Sequence, residues 1–580
     1  MLLPGRNTYL TIMQKAEPRD SYDVTIIGAG IGGLTAASIL SRAGLSVCVL
    51  EKEPHEGGYL AGFRRKQFRF DTAIHWLNQC GPGGLVNRLF DFLGKDHPVA
   101  IPQTAIRRYQ GDNFNYLLTN NPDELRDQLV SDFPHEKKGI ERFFKTAKRL
   151  GYYLQQFSTI FRSEETMTVW ERAGHKMRLM NFAIPFIPYV SYTGEKGLRK
   201  GLNRFFKDER LHRIFVSETE LLACLVPVGW AYYSDFQSPP KGGGQVIPEW
   251  LKYTVTYHHS DIFFRSPVKE ILLDKGVCCG VSFLHNKKEH RISSSYVIAS
   301  CDVETLYEKM LPENCIPVKL KNRLRSAELY SSAVTISIAL DCPAEALGFG
   351  EELVHLACEE VGFEDHRGCD PGKTEISILA PTQRDKSMAP AGQGTLMFFM
   401  PAYMNAYNNW ETGKDDNGNH IRGEAYGKLK QEIAEIVIKR VEEKLVPGLR
   451  SHILFFDVAT PVTHWRYTGN KNGTMMGAKP GKENMLNGIA HYRTPVKNLL
   501  LGGHWAELGG GVPIAVKAGY NAALLVLKKE NKPAFKALAA YMDHKKDLDE
   551  VLKDPHFRSY NDSWVQELTP AEKMVVSTQQ

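Results

Sequence analysis

Ser21-Tyr-Asp-Val-Thr-Ile-Ile27 runs directly into Gly28-Ala-Gly30-Ile31-Gly-Gly33-Leu34, and the order of these residues decides the fold. The β-branched run predicts a strand over Tyr22–Ile27. Leu34, Ala37, Ile39 and Leu40 then recur at helical spacing up to Gly44, and Ser46–Leu50 reads as a second strand ending at Glu51. Strand, glycine turn, helix and strand make a right-handed βαβ crossover. In that setting Gly28 allows the tight turn, Gly30 lets backbone approach a pyrophosphate, and Gly33 lets the helix lie close on the sheet. The helix N-terminus, opening at Ile31, offers N–H donors to the phosphates. Glu51, with Lys52 beside it, is placed to accept hydrogen bonds from a ribose. A bare glycine triplet is weak evidence, but these features in register predict dinucleotide binding.

The residues after Glu51 separate FAD from NAD. A nicotinamide dehydrogenase would continue with alternating strands and helices. This chain continues Glu51-Lys-Glu-Pro-His-Glu-Gly57-Gly58-Tyr59, then Phe68-Arg-Phe-Asp71-Thr-Ala-Ile-His75-Trp76. A Gly57-Gly58 pair gives side-chain-free backbone able to pass close to a ribityl chain and phosphates, although by itself it is equally a turn. Near the other end, Gly502-Gly503-His504-Trp-Ala-Glu507-Leu-Gly-Gly-Gly511-Val512-Pro513 opens a helix, and such a glycine run offers N–H groups to the electron-rich pyrimidine side of a flavin. No second GxGxxG follows a strand, which argues against an NAD(P) domain within the chain.

These blocks resemble the phytoene desaturase, carotenoid isomerase and retinol saturase group of FAD-dependent enzymes, over most of the chain from about Tyr22 to Lys528. The Phe-Asp-Thr-x-Ile-His string is most similar to the retinol saturase branch. Pro240-Lys-Gly242-Gly243 resembles the group's Pro-x-Gly-Gly, and Val268 resembles a valine whose backbone contacts adenine. Tyr59 stands where related sequences often carry Arg, and Ala73 replaces a common Gly. The resemblance implies an α/β fold, with a Rossmann-like FAD-binding domain of glutathione-reductase type and an interleaved α+β substrate domain. It also implies FAD held by Gly28, Gly30, Ile31, Gly33, Glu51, Lys52, Gly57, Gly58, Tyr59, Asp71, Val268, Gly503, Gly511, Val512 and Pro513. His75, Trp76, His504 and Glu507 are the candidate catalytic or flavin-tuning residues. Each has a plainer reading: His75 a hydrogen-bonded core histidine, Trp76 a packed indole, Asp71 a turn cap, His504 and Glu507 loop lining. Trp230-Ala-Tyr232-Tyr233 is a candidate wall for an apolar tunnel or simply core.

Composition sets the outer bounds. The chain has 580 residues, with 43% hydrophobic and 24% charged, as in an ordinary globular protein of two or three units. A net charge of +6 is too small for a dedicated nucleic-acid binder. Ten Lys/Arg against four Asp/Glu lie between Glu171 and Arg213, an excess equal to the whole net charge, around the apolar run Phe182–Val190. That pairing predicts a helical, membrane-contacting region and a peripheral membrane surface as partner. The ten cysteines lack zinc spacing, so no metal site is expected. No secretory h-region or spanning segment is evident, so a cytoplasmic, membrane-peripheral protein is expected.

The expected organisation is an N-terminal extension 1–20, a first FAD-binding segment 21–106, a helical substrate and membrane-contact region 107–239, and a second FAD-binding segment 240–325. A substrate sheet and helix 326–490, a third FAD-binding segment 491–530 and a charged tail 531–580, read as a peripheral helix or disordered, complete it; Asp261–Leu273 is read as one strand of the second FAD-binding segment. The expected activity is FAD-dependent desaturation, saturation or cis/trans isomerisation at a C=C bond of a long apolar isoprenoid. Quinone, oxygen or NAD(P)H would be the external electron partner. A prenyl-binding carrier on a related fold, or a flavin amine oxidase, are the alternatives.

Overall fold

The computed structural model of the protein describes residues 17–156, 160–215, 217–416 and 418–567. Along the chain, β1 (Ser21–Ile27), α1 (Ile31–Arg42) and β2 (Val47–Leu50) form the expected crossover, with Val24 opposite Val47 in parallel register. Every residue of α1 and β2 is buried, as expected for parallel strands covered on both faces. The chain goes on to β3 (Ala105–Gln110), β4 (Asn115–Thr119) and a helical region that includes α2 (Pro122–Asp132), α3 (Lys137–Gln155), α4 (Val169–Ala183) and α5 (Leu221–Tyr232). After Pro239-Pro240 the chain returns through α6 (Val246–Tyr257), β5 (Asp261–Phe263), β6 (Val268–Asp274), β7 (Val277–His285) and β8 (Lys288–Ala299). It then builds β9 (Ser332–Leu340), β10 (Leu353–Leu356), β11 (Ile376–Leu379), β12 (Gly394–Ala402), α7 (Glu424–Lys444) and β13 (Ile453–Ala459). Last are β14 (Leu499–Leu501), α8 (Val512–Glu530), α9 (Lys532–Met542) and α10 (Leu548–Leu552).

Two seven-stranded sheets organise these elements. The first has order β6-β7-β8-β1-β2-β5, with β14 also parallel to β8 beyond the end of β7. The parallel strands β14, β8, β1, β2 and β5 therefore lie side by side with their carboxyl ends at one edge. The second sheet has order β13-β9-β12-β11-β10-β3-β4. On one of its faces Ile336, Val354, Ile378 and Phe398 form an apolar core with Ile433, Val437 and Val441 of α7.

Three sequence expectations need correction. The boundary at 106/107 falls inside β3, and β3 with β4 belongs to the substrate sheet, through the parallel pairing of β3 with β10. Alternate β3 residues Arg107 and Tyr109 are polar, so the segment lacks the apolar run that would have marked it as a strand. The single strand expected over Asp261–Leu273 is broken in two, because Arg265 takes φ +53° before Ser266-Pro267. The tail expected to be peripheral or disordered is packed, with Ala534, Leu538, Tyr541 and Val551 buried in the first core. Residues 1–16 of the extension and 568–580 of the tail lie outside the described residues.

The first domain is held by glycine contacts between non-adjacent segments. A Cβ on Gly519 of α8 would lie 2.1 Å from the Gly32 carbonyl oxygen of α1. Gly519→Val is therefore expected to destabilise the protein by about 3 kcal/mol or more, the upper range for overpacked cores. Gly427→Ala, at an exposed position of α7 with open space around it, should instead stabilise by about 0.5–1 kcal/mol. Urea unfolding of the two variants against wild type checks both signs.

Candidate nucleotide crevice and substrate face

The crevice is assembled from the carboxyl ends of adjacent parallel strands. Gly28 follows β1, Glu51 follows β2, Ser300 follows β8 and Gly502 follows β14. A staircase of backbone bonds links them: Gly28 N–H to Leu50 (2.9 Å), Ser300 N–H to Ile27 (2.8 Å) and Gly502 N–H to Ala299 (2.9 Å). In open α/β sheets such an edge is where ligands bind. Gly28 has φ +100°, and a Cβ there would approach the Ser300 oxygen to 2.9 Å. A Cβ on Gly33 would lie 2.1 Å from the Gly28 oxygen, so α1 starts in contact with the turn. Gly30, the helix N-cap, is different: its φ is −72° and a Cβ there meets nothing within 4 Å. The chain's own packing does not require glycine at 30, whereas close passage of a pyrophosphate would.

Glu51, Lys52, Gly57 and the segment leading to Val268 lie along this edge. Glu51 is buried; it accepts from Ala29 N–H (2.7 Å) and Glu53 N–H (2.9 Å), leaving further lone pairs for hydroxyl donors. Burial raises its pKa while these two N–H groups oppose the rise. Lys52 lies beside it, donating to the Arg466 carbonyl (3.1 Å). Gly57 pairs with Gly30, its N–H bonded to Ala29 (2.9 Å), so both glycine segments line one wall. The segment leading to Val268 is held against Glu51 by Ser266 N–H to the Glu51 carbonyl (2.7 Å).

The carboxy-terminal glycines meet the amino-terminal ones. A Cβ on Gly32 would stand 2.8 Å from the Gly502 oxygen, and one on Gly503 3.1 Å from the Ser300 hydroxyl. Gly511, φ +84°, caps α8, which begins Val512-Pro513. The turn around Asn470–Thr474 ties the two ends together: Tyr59 donates its hydroxyl to the Thr474 carbonyl, and Trp505 donates to Asn470 (3.0 Å). His504 Nε2 is 3.4 Å from the same Asn470 oxygen. Glu507 accepts from the Tyr492 hydroxyl and pairs with Lys517 (3.0 Å), so its carboxylate is held within the chain. Ser300 and Asn470 carry no sequence signal, since serine and asparagine are common in loops of every kind.

Asp71 caps a turn, in line with its plainer reading: it accepts from Gly244 N–H (2.8 Å) and fixes the Pro240–Gly244 loop before α6. His75 lies flat on Phe399 of β12, ring centroids 3.9 Å apart and 8° from parallel. Its carbonyl accepts from Arg384, and its Nδ1 is buried without a partner. Trp76 packs on Leu353, Leu379 and Met397 and donates its indole N–H to Asn78 (3.0 Å). His75 and Trp76 thus cover the face of the second sheet opposite α7. Tyr232 turns elsewhere, its hydroxyl on Asp123 (2.5 Å), while Trp230 reaches Trp76 only through Phe236.

The comparisons with known proteins agree with this arrangement. The description "NAD(P)-binding Rossmann-like domain" matches residues 26–93. A chloroplastic prolycopene isomerase of Daucus carota is 25% identical over 506 residues, covering 85% of this chain and 77% of that one. An all-trans-retinol 13,14-reductase of Danio rerio is 24% identical over 528 residues, covering 85% and 84%. The family resemblance read from the motifs is thereby borne out. Among solved structures, an oxidoreductase from Methanosarcina mazei covers 87% of this chain with a TM-score of 0.54 at 17% identity. Putrescine oxidase with bound putrescine covers 88% with a TM-score of 0.54 at 15% identity, a likeness of fold. The α/β fold is shared with both solved structures.

Burial holds the Asp71 carboxyl up to about 6, against about 3.9 in an unfolded chain. The native state therefore binds this proton more tightly, so the stability that Asp71 allows is full below about pH 4 and declines as pH rises to about 6. Asp71→Asn keeps an acceptor for Gly244. We expect D71N and wild type to unfold alike near pH 4, with D71N more stable at pH 7 by on the order of 2 kcal/mol. Thermal unfolding between pH 4 and 8 measures the difference, and parallel pH profiles would refute the assignment.

Proposed function

We propose that the protein is an FAD-dependent enzyme acting on a C=C bond of a long, apolar isoprenoid at a membrane surface. The observation that carries this reading is the crevice, in which glycine segments from both ends of the chain meet beside Glu51 over a sheet edge suited to a dinucleotide. Sequence similarity spans 85% of the chain, to an isomerase of one polyene and a reductase of another, and it supports the substrate class. The amine oxidases share the fold at much lower identity.

A bound flavin would supply hydride or electron transfer at the double bond, with quinone, oxygen or NAD(P)H as the outside redox partner. The chain's own contribution is placement and dryness. Burial lowers the pKa of His75 to about 3 and that of His504 to about 4, so both imidazoles are neutral at physiological pH. Neutral rings can accept or donate one hydrogen bond without drawing water or counter-ions toward an apolar substrate. Arg384 fixes the His75 backbone, and Phe399 fixes its ring. His75 and Trp76 are accordingly assigned to the wall of the reaction site, His504 to the flavin side, and Glu507 to positioning through Tyr492 and Lys517.

Access from a lipid surface is supported by α4. Trp170 (88% exposed), Met177 (66%), Met180 (62%), Ile184 (52%) and Ile187 (61%) follow one another at helical spacing on the outside of the protein. Among the α4 residues only His175 is buried, and Arg172, Lys176 and Arg178 flank the stripe. An apolar stripe bordered by cations suits the boundary of an anionic bilayer. No helix among the described residues is long and apolar enough to cross a membrane.

Purified protein reconstituted with FAD should show a flavin absorption band. Incubated anaerobically with cis and trans polyenes, it should change them in the oxidised or the dithionite-reduced state. Change only when oxidised means desaturation; change only when reduced means saturation or isomerisation, which product mass separates. A protein that takes up no flavin would leave the carrier reading. For the membrane, flotation with anionic vesicles should be lost in Trp170→Glu/Met177→Glu, with unchanged flavin content; unaltered flotation would contradict docking through α4.

A further inference from the structure

The face of the second sheet that His75 covers carries polar groups where a purely hydrocarbon site needs none. In register across four strands lie Tyr109 of β3, His355 of β10, Ser377 of β11 and Phe399 of β12. Being directly opposite one another, their side chains share one face. His355 Nδ1 is bonded to Glu375, which also accepts from Ser377 (3.0 Å). Beside them Arg107 pairs with Glu218 (2.8 Å), and Cys224 of α5 closes the cluster from the helical side. His355 and its neighbours hold the Glu375 carboxyl down to about 2, so this carboxylate is a charged acceptor that orients the imidazole.

Two atoms of this row are left over. The Tyr109 hydroxyl and His355 Nε2 are both buried with no hydrogen-bond partner; Arg107 lies near the tyrosine, but no bond of proper geometry reaches its oxygen. Tyr109 is only 4% exposed. A buried polar atom without a partner is costly, and such groups are found where something else supplies the bond. With Nδ1 committed to the carboxylate, Nε2 and the tyrosine hydroxyl are two hydrogen-bonding groups left open on directly opposite residues of β3 and β10, their ring centroids 6.3 Å apart. The third unpartnered atom, His75 Nδ1, lies on Phe399 at the other end of the row, about 14 Å away at three strand spacings.

We infer that Tyr109 and His355 form a polar anchor for an oxygen, hydroxyl or carboxylate, at one end of an otherwise apolar substrate whose chain runs along the row toward His75 and Phe399. The inference rests on the polyene reading above and deepens it, since it assigns the protein a substrate with an oxygenated terminus rather than a plain hydrocarbon. The role given to Tyr109 and His355 is positioning.

The test uses the FAD-loaded full chain and three polyenes of matched length ending in hydroxyl, carboxylate or hydrocarbon. Affinity is read by quenching of protein fluorescence without turnover. Wild type should bind at least one oxygenated ligand about tenfold or more tightly than the hydrocarbon, and the better of the two identifies the terminus. Tyr109→Phe should lose that advantage, leave hydrocarbon affinity within twofold, and unfold at the same temperature or higher, because the lost hydroxyl has no partner in the protein. His355→Gln should lose the same advantage. Equal affinity for all three ligands, or equal losses for all three in Y109F, would overturn the anchor while leaving the enzyme reading intact. Failure of the loaded protein to bind any polyene would sink both.

Discussion

The structure depends on how closely the ends of four parallel strands and two helices can approach one another without side chains between them. Gly28 sits under Ser300, Gly33 against Gly28, Gly32 against Gly502, and Gly519 against Gly32. Each contact is shorter than a Cβ permits, and together they join segments separated by most of the chain length. Because β1, β2, β8 and β14 end at one edge, the same contacts that stabilise the domain bring N–H groups, the Glu51 carboxylate and Gly502-Gly503 to one crevice. Fold and ligand site are thus one construction, and a disturbance of α8 packing is also a disturbance of the site.

The second sheet solves a different problem. One face is consumed by α7 in a conventional apolar core. The other is divided between an apolar patch under Trp76 and a polar row ending in unpartnered atoms. Burial keeps His75 and His504 neutral, whereas the Arg107–Glu218 and His355–Glu375 contacts hold polar groups against one another within the second sheet. Such buried pairs are seldom a source of stability, which directs attention to what they orient. Apolar wall, neutral imidazoles and a remote polar anchor form a consistent environment for a long substrate held in a fixed register.

How much of this is legible in the sequence depends on which periodicities are local. The crossover over 21–51 is readable because glycine chemistry, strand, helix and carboxylate fall within one contiguous stretch, and the structure reproduces it within a residue or so at most ends. The meeting of Gly28 with Gly502 needs the family resemblance, since no local signal links positions so far apart. The membership of β3 and β4 in the second sheet is hidden because Arg107 and Tyr109 break the apolar alternation for the sake of the polar row. His355, Glu375 and Glu218 are invisible for the same reason: their meaning lies in a parallel pairing of residues 109 and 355 that sequence spacing cannot report. The packing of the tail is obscured because the charged residues from Asp543 onward dominate its composition, although α9 itself has only two lysines in eleven residues and buries Ala534, Leu538 and Tyr541.

Gly30 offers the most direct measurement of the central claim, that a flavin dinucleotide passes through the strand-end crevice. Its backbone is ordinary and the protein leaves room for a side chain there, so Gly30→Val has no reason to harm the fold. Visible absorption after FAD reconstitution and removal of free cofactor should show a flavin band in wild type and none in G30V, with the two apoproteins unfolding at the same temperature. A G30V protein that retains FAD as fully as wild type would contradict the account.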